Sequence, residues 1–230
     1  MTSNNMSTRD AGYFQTSGAL LQAAKQWVSV VENFPYGLAA LILYYVLYHS
    51  ELVPRWLSVW GLIGAILMLA MGLLRMYGHP VVYLAIPIIL NELVLAVWFI
   101  VMGFNSSVIA LSFVGVLFIT ALLSSFLSSL AGSVDEPDYL TAASANKNKV
   151  LIGVLFQLTL TASVVAIPIL MFPILRDYSE SLALGYVIAR VFEGFFDAIM
   201  AISILLLLTL RREFSKAGDP TAKIDIDEGE

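Results

Sequence analysis

The sequence predicts an all-α membrane protein, a bundle of six transmembrane helices built of two three-helix halves. Three observations carry that prediction. Apolar side chains make up 59% of the 230 residues and charged ones only 13%, about half the ~25% usual in soluble domains. The charges lie in short islands between apolar runs of about 20 residues or more, the length a helix needs to cross ~30 Å of hydrocarbon. Helices also satisfy their own backbone hydrogen bonds in lipid, whereas the period-two alternation of a membrane β-barrel is missing.

Taken in order, residues 1–18 are polar and are expected to form a flexible N-terminal tail. They lack the charged start and short apolar core of a cleaved signal peptide. The first half, residues 19–106, holds three spans. The first runs from Trp27 to Tyr48, with Lys25 and Trp27 as interfacial anchors, a Tyr44-Tyr45-Tyr48 cluster at its far end and a kink expected at Pro35. The second opens at Pro54, which suits a first helical turn, and runs to Tyr77. Arg55, Trp56 and Trp60 mark its interfacial end. The third, Val81 to Phe104, contains Pro87, Asn91 and Glu92.

The second half, residues 107–213, begins with a Ser- and Gly-rich fourth span, Val108 to Leu130. The longest internal loop, Gly132 to Lys149, leads to a fifth span from Val150 to Leu175 that contains Gln157, Pro168 and Pro173. The sixth run, Ser181 to Leu210, would be ~45 Å long at ~1.5 Å per residue. It must tilt or project from the bilayer before Arg211 and Arg212. Residues 214–230 read as an acidic flexible tail.

Much of the net charge of −5 comes from the termini and loops, and no basic patch suited to nucleic acid is present. With six spans, Arg9, Lys25, Arg75, Lys147, Lys149, Arg211, Arg212, Lys216 and Lys223 share one side, against Arg55 and Arg176 on the other. The positive-inside rule then places both termini in the cytoplasm of a multi-pass plasma-membrane protein.

The sharpest chemical signal lies in the sixth span. Arg190, Glu193 and Asp197 fall in one stripe roughly 60° wide, joined one turn earlier by Tyr186. An isolated charge at that depth costs at least ~2.5 kcal/mol, so these groups must face protein or water. Glu92, beside Asn91 near the centre of the third span, is the natural cross-helix partner of Arg190. Gln157 belongs to the same polar seam. One arginine cannot neutralise three carboxylates, so at least one acid is expected to carry a proton unless water surrounds it. Glu32 is read as shallower and hydrated, and Arg75 only as an anchor that snorkels to the interface.

Small residues repeat at four-residue spacing on the second span (Gly61/Ala65 and Gly64/Met68/Gly72) and on the fourth (Ala121/Ser125/Ser129 and Ser124/Ser128/Gly132). Gly153, Gln157 and Thr161 share a face of the fifth. These are close-packing faces. The chain has no cysteine and two histidines, His49 and His79, both at span ends. Haem ligation within the bundle, a lysine Schiff base, a zinc protease and a serine hydrolase find no residues to support them. No cofactor and no metal are expected.

Several stretches carry a family likeness: Leu52-Val53-Pro54-Arg55-Trp56-Leu57-Ser58-Val59-Trp60-Gly61, Glu92 to Trp98 ending at Gly103-Phe104-Asn105, Pro137-Asp138-Tyr139-Leu140, and Ala183-Leu184-Gly185-Tyr186 with Arg190 and Glu193. In these the chain resembles the bacterial membrane family known as domain of unknown function 4386. The resemblance implies six spanning helices and brings no known activity. It also implies that the halves are exchanged, because the stretch resembling residues 111–220 comes first in that family and the stretch resembling residues 10–110 second.

The functional reading is an integral membrane protein, not an enzyme. It is either a small transporter-like or ligand-binding protein that takes a small solute or a proton at the Glu/Arg/Asp seam, or a structural or accessory protein in which the seam only fixes helix packing.

Overall fold

A computed structural model of the chain describes residues 8–79, 81–102, 109–130 and 147–217. Its α-helices are α1 (Thr8–Val31), α2 (Asn33–Ser50), α3 (Arg55–Met76), α4 (Ile86–Met102), α5 (Ile109–Leu130), α6 (Lys147–Arg176) and α7 (Glu180–Ala217), with a 3-10 turn at Val82–Ala85 leading into α4. Because α1 and α2 form one helix broken at Glu32, the described residues make a six-helix bundle without strands. Four of these helices, over Thr16–Ser50, Arg55–Met76, Val82–Val101 and Leu151–Arg176, are long and apolar enough to cross a membrane.

Local chemistry sets the boundaries. The α1–α2 break stands three residues before Pro35, whose missing N–H and bulky ring disfavour a continuous helix through Val31. Asn33 compensates, its Nδ2 donating to the carbonyls of Ser29 (3.0 Å) and Val30 (3.1 Å). Glu51 ends α2 in the left-handed region, with φ 56°. Pro54 then caps α3, its carbonyl accepting from Leu57 and Ser58 N–H. At the far end of α3, Gly78 takes φ 81°. There His79 N–H reaches Leu74 O and Gly78 N–H reaches Arg75 O, the paired bonds of a Schellman stop that glycine permits without strain. Pro87 falls in the first turn of α4, where a missing N–H costs least. Pro168 and Pro173 lie inside α6. They deprive the Val164 and Ile169 carbonyls of their helical donors, a loss that buried membrane-type helices tolerate through their neighbours.

The helices close into a ring. Each packs on its chain neighbours, and α7 seals the circle against both α1 and α2. Small residues set the close approaches. A Cβ at Gly61 would collide with the ring of Tyr44 on α2, one at Gly64 would lie 2.9 Å from Ile88 Cβ on α4, and one at Gly115 would lie 2.6 Å from the Ala96 carbonyl. The Gly61 position of α3 therefore meets α2, whereas the Gly64/Gly72 face meets α4 at Gly64 and α2 at Gly72, where a Cβ would lie 3.1 Å from Asn33 Cβ. On α5, Ser124 is buried and Ala121 borders the central cavity. The side chains of Ser125, Ser128 and Ser129, and all of Gly132, lie outside the described residues.

Several expected boundaries move. Residues 1–18 are not a free tail throughout, since α1 begins at Thr8 and Gly18 is buried. Strong helix formers (Ala19, Leu20, Leu21, Gln22, Ala23, Ala24) favour this helix despite its polarity, and it packs on α7. Lys147, expected in the long loop, already belongs to α6, and the C-terminal tail boundary at 214 shifts because α7 continues to Ala217. At 38 residues, α7 is ~57 Å long, nearly twice a ~30 Å hydrocarbon core. Tyr44 is not interfacial but fully buried. Its former companions Tyr45 and Tyr48 do gather at the helix end, where His49 stacks on Tyr178 at 5.7 Å.

Substituting Gly61→Ala should lower stability by about 1–3 kcal/mol through overpacking against Tyr44, read as a reduced unfolding midpoint in detergent. Gly78→Ala, where a Cβ meets nothing within 4 Å but φ is positive, should cost only the backbone strain of about 1 kcal/mol.

Candidate functional site

The ring encloses a polar centre built around Arg190. Its position on α7 follows from the apolar flanks of that helix: Ile188, Val191, Phe192 and Phe195 are exposed on the outer face, leaving Tyr186, Arg190, Glu193 and Asp197 buried on the inner one. The Arg190 Nη1 donates to both carboxylate oxygens of Glu193, at 2.9 and 3.0 Å. Its Nη2 lies 3.7 Å from Glu92 Oε1 on α4. Aromatic faces complete the shell, with the guanidinium carbon 5.4 Å from the centroid of Tyr36 on α2, 5.7 Å from Tyr186 and 6.0 Å from Phe118 on α5. Cation–π attraction of this kind contributes ~2 kcal/mol or more when desolvated. Arg190 Nε has no acceptor although the residue is only 3% exposed.

Asp197, one turn beyond Glu193, is held from another helix. Gln157 on α6 donates from Nε2 to Asp197 Oδ1 at 2.8 Å. The Glu32 carboxyl, at the α1–α2 break, lines the same cavity as that of Asp197. Close packing keeps α6 and α7 at this distance, since a Cβ on Gly194 would lie 2.8 Å from Val165 Cγ2.

A cavity of about 190 Å³ joins these groups. Glu32, Tyr36, Glu92, Arg190, Glu193 and Asp197 line it together with apolar side chains that include Ile88, Phe118 and Ile167. Glu92, Arg190, Glu193 and Asp197 therefore come together as one site. Gln157 touches the site only through Asp197. Tyr186 lies beside the guanidinium with its hydroxyl unpaired. Asn91 turns the other way, its Nδ2 donating to the Leu57 carbonyl on α3 at 2.9 Å, so it fastens α4 to α3.

Two residues read as peripheral stand at or beside the site. Glu32 is half-buried on the cavity wall, because the helix break next to it redirects α1 and turns residue 32 inward. An acid immediately before a kinking Asn-Phe-Pro sequence was the available signal. Arg75 does more than reach for the interface: it donates from Nη2 to Ser29 Oγ (3.1 Å) and from Nη1 to Ser29 O (3.4 Å), tying α3 to the end of α1. Tyr36 and Phe118 carry no sequence signal that separates them from other aromatic residues of the spans. Among the described residues no three His, Asp or Glu side chains converge to hold a metal ion.

Replacing Arg190 with Met should destabilise the protein by about 3–5 kcal/mol, the cost of leaving buried carboxylates without their cation. Adding Glu193→Gln to that variant should recover part of the loss. A double-mutant cycle on unfolding free energies measures the coupling.

The family described as Domain of unknown function (DUF4386) matches residues 2–103 and 113–226. No curated protein and no solved structure matches the chain.

Proposed function

We propose, for a chain that belongs to the DUF4386 family, that it is a small transporter-like or ligand-binding membrane protein whose working site is the cavity around Arg190. One observation carries this reading: four carboxyls and one guanidinium line a single cavity inside an otherwise apolar ring. Helix packing alone does not require them, since well-packed apolar residues often replace buried ion pairs with no loss of stability. Ionisable groups at such depth are characteristic of substrate and proton pathways. The volume of about 190 Å³ falls below the ~300–1,000 Å³ of drug-sized sites, which suits a solute of a few heavy atoms. Four acids against one arginine favour a cation or a proton over an anion.

A second reading has its own support. Arg190 makes its shortest bonds to Glu193 on the same helix and reaches Glu92 on α4, so the cluster neutralises part of its charge internally. In that case the seam fixes assembly and the protein is structural or accessory. Both readings treat the protein as a non-enzyme.

Flux measurements separate the two. Protein in liposomes should move protons or small cations, and Glu193→Gln and Asp197→Asn should reduce flux at least tenfold while folded yield stays near that of the parent. A parent protein that moves nothing, paired with variants that fail to fold, would favour the structural reading.

We place the protein in a bacterial plasma membrane with both termini cytoplasmic, on the Lys/Arg bias between the two ends of the bundle. The ends of α3 and α7 and the starts of α1 and α6 share the richer side. Protease added outside right-side-out vesicles should leave both chain ends intact, and cleavage of both from outside would reverse the placement.

A further inference from the structure

The central cavity has two chemically unlike ends. Arg190 and Asp197 both line it, two turns apart on α7, which is ~10 Å of helical rise. At the first end Arg190 is ion-paired with Glu193 and Glu92. Its Nε–H nevertheless has no acceptor, although the residue is only 3% exposed. At the second end Asp197 is 1% exposed and accepts from the neutral amide of Gln157 at 2.8 Å. Glu32 and Val164 line the cavity as well. Pro168, inside α6, has no N–H to give to the Val164 carbonyl four residues earlier. Carbonyls freed in this way, in interrupted membrane helices, are the groups that bind cations in transporter-like bundles. Apolar side chains such as Ile88, Phe118 and Ile167 complete the wall.

Each part of this wall sets a requirement for what it holds. Carboxylates at such depth call for a positive charge. The unused N–H calls for an acceptor, and a neutral one, because Glu193 and Glu92 already surround the guanidinium with negative charge. The hydrocarbon between the ends calls for methylene groups. A bare divalent ion is a poor match, since it needs about six or more oxygen ligands, and among the described residues no three His, Asp or Glu side chains converge on a point. Building on the reading of the cavity as a working site, we propose that it binds a small primary amine that also carries a neutral oxygen, an amino alcohol in the simplest case. The ammonium group, a cation at neutral pH, lies at the Asp197 end. Its three N–H donors meet the acceptors of that end, the carboxylates of Asp197 and Glu32 and the Val164 carbonyl. The oxygen lies at the other end and accepts from Arg190 Nε–H, and the carbon chain between them packs on Phe118 and its apolar neighbours.

Calorimetric titration of the full-length protein in detergent at neutral pH tests the assignment. The probes are unbranched amino alcohols of two to five carbons, the alkylamines and alkanols of the same lengths, and potassium chloride. At least one amino alcohol should bind about tenfold or more tightly than the matching alkylamine, which lacks the acceptor for Arg190. Alkanols and potassium should give no saturable heat. Asp197→Asn should weaken amino alcohol binding by about tenfold or more, whereas Arg55→Gln, at an exposed ion pair remote from the cavity, should leave it unchanged. Should Asp197→Asn fail to fold, the probe series on the wild-type protein still decides, because it needs no variant. Folded protein that binds no amino alcohol, or that binds an alkylamine, an alkanol or potassium equally well, overturns the proposal, as does binding that Asp197→Asn leaves intact. Proton or potassium flux through liposomes by protein that binds no amino alcohol would refute the amine and leave the working cavity standing. Protein that binds none of the probes and moves nothing would overturn both.

Discussion

One guanidinium organises this bundle. Arg190 sits where α2, α4, α5 and α7 converge, and a charge in that position is tolerated only if every neighbouring helix offers it something. Glu193 gives two oxygens at 2.9 and 3.0 Å, Glu92 gives a weaker contact at 3.7 Å, and three aromatic faces fill the remaining directions. Moving any one of these helices outward would expose part of the shell or leave an acid without its cation. The geometry of the ring and the geometry of the charge are therefore one constraint.

That constraint needs helices that approach closely, and the sequence meets it with glycine. Lipid provides no hydrophobic drive for helices to associate, so contact area and interhelical hydrogen bonds must hold the ring together. Gly61, Gly64 and Gly115 let α3 and α5 lie against the ring of Tyr44, the side chain of Ile88 and the carbonyl of Ala96. Polar side chains then pin selected pairs. Asn91 bonds to a carbonyl of α3, Arg75 ties α3 to α1, and Gln157 links α6 to α7. Each of these bonds joins two helices and lies beside the central cavity or one helix away from it.

Much of the fold was readable because lipid imposes a coarse code. Apolar runs of the right length, bounded by Pro54 or a charged turn, marked most of the helices to within a few residues. The stripe of Arg190, Glu193 and Asp197 was visible because helical periodicity alone puts those three side chains on one face. What periodicity does not reveal is where a broken helix points next. Glu32 reads as shallow if α1 and α2 are one straight rod, and only the break at Glu32 brings it to the cavity. Likewise the residues Thr8 to Lys25 include good helix formers but no apolar run of spanning length, so their packing against α7, far along the chain, is not encoded by any local pattern. Asn91 shows the opposite limit. Its place beside Glu92 suggested the cavity, yet adjacent residues on a helix point about 100° apart, and Asn91 serves α3.

Ring closure by α7 has a consequence for biosynthesis. Chains emerge and insert from the N-terminus, so Glu32 and Glu92 enter the membrane with α1 to α4, before the cation that neutralises them has been made. Until the last helix arrives, those acids must be kept neutral, shielded by the translocation machinery or held near the headgroups. Arg190 becomes available to them only once α7 has been made. In this protein the helix made after the others of the bundle is also the one that tells them where the centre is.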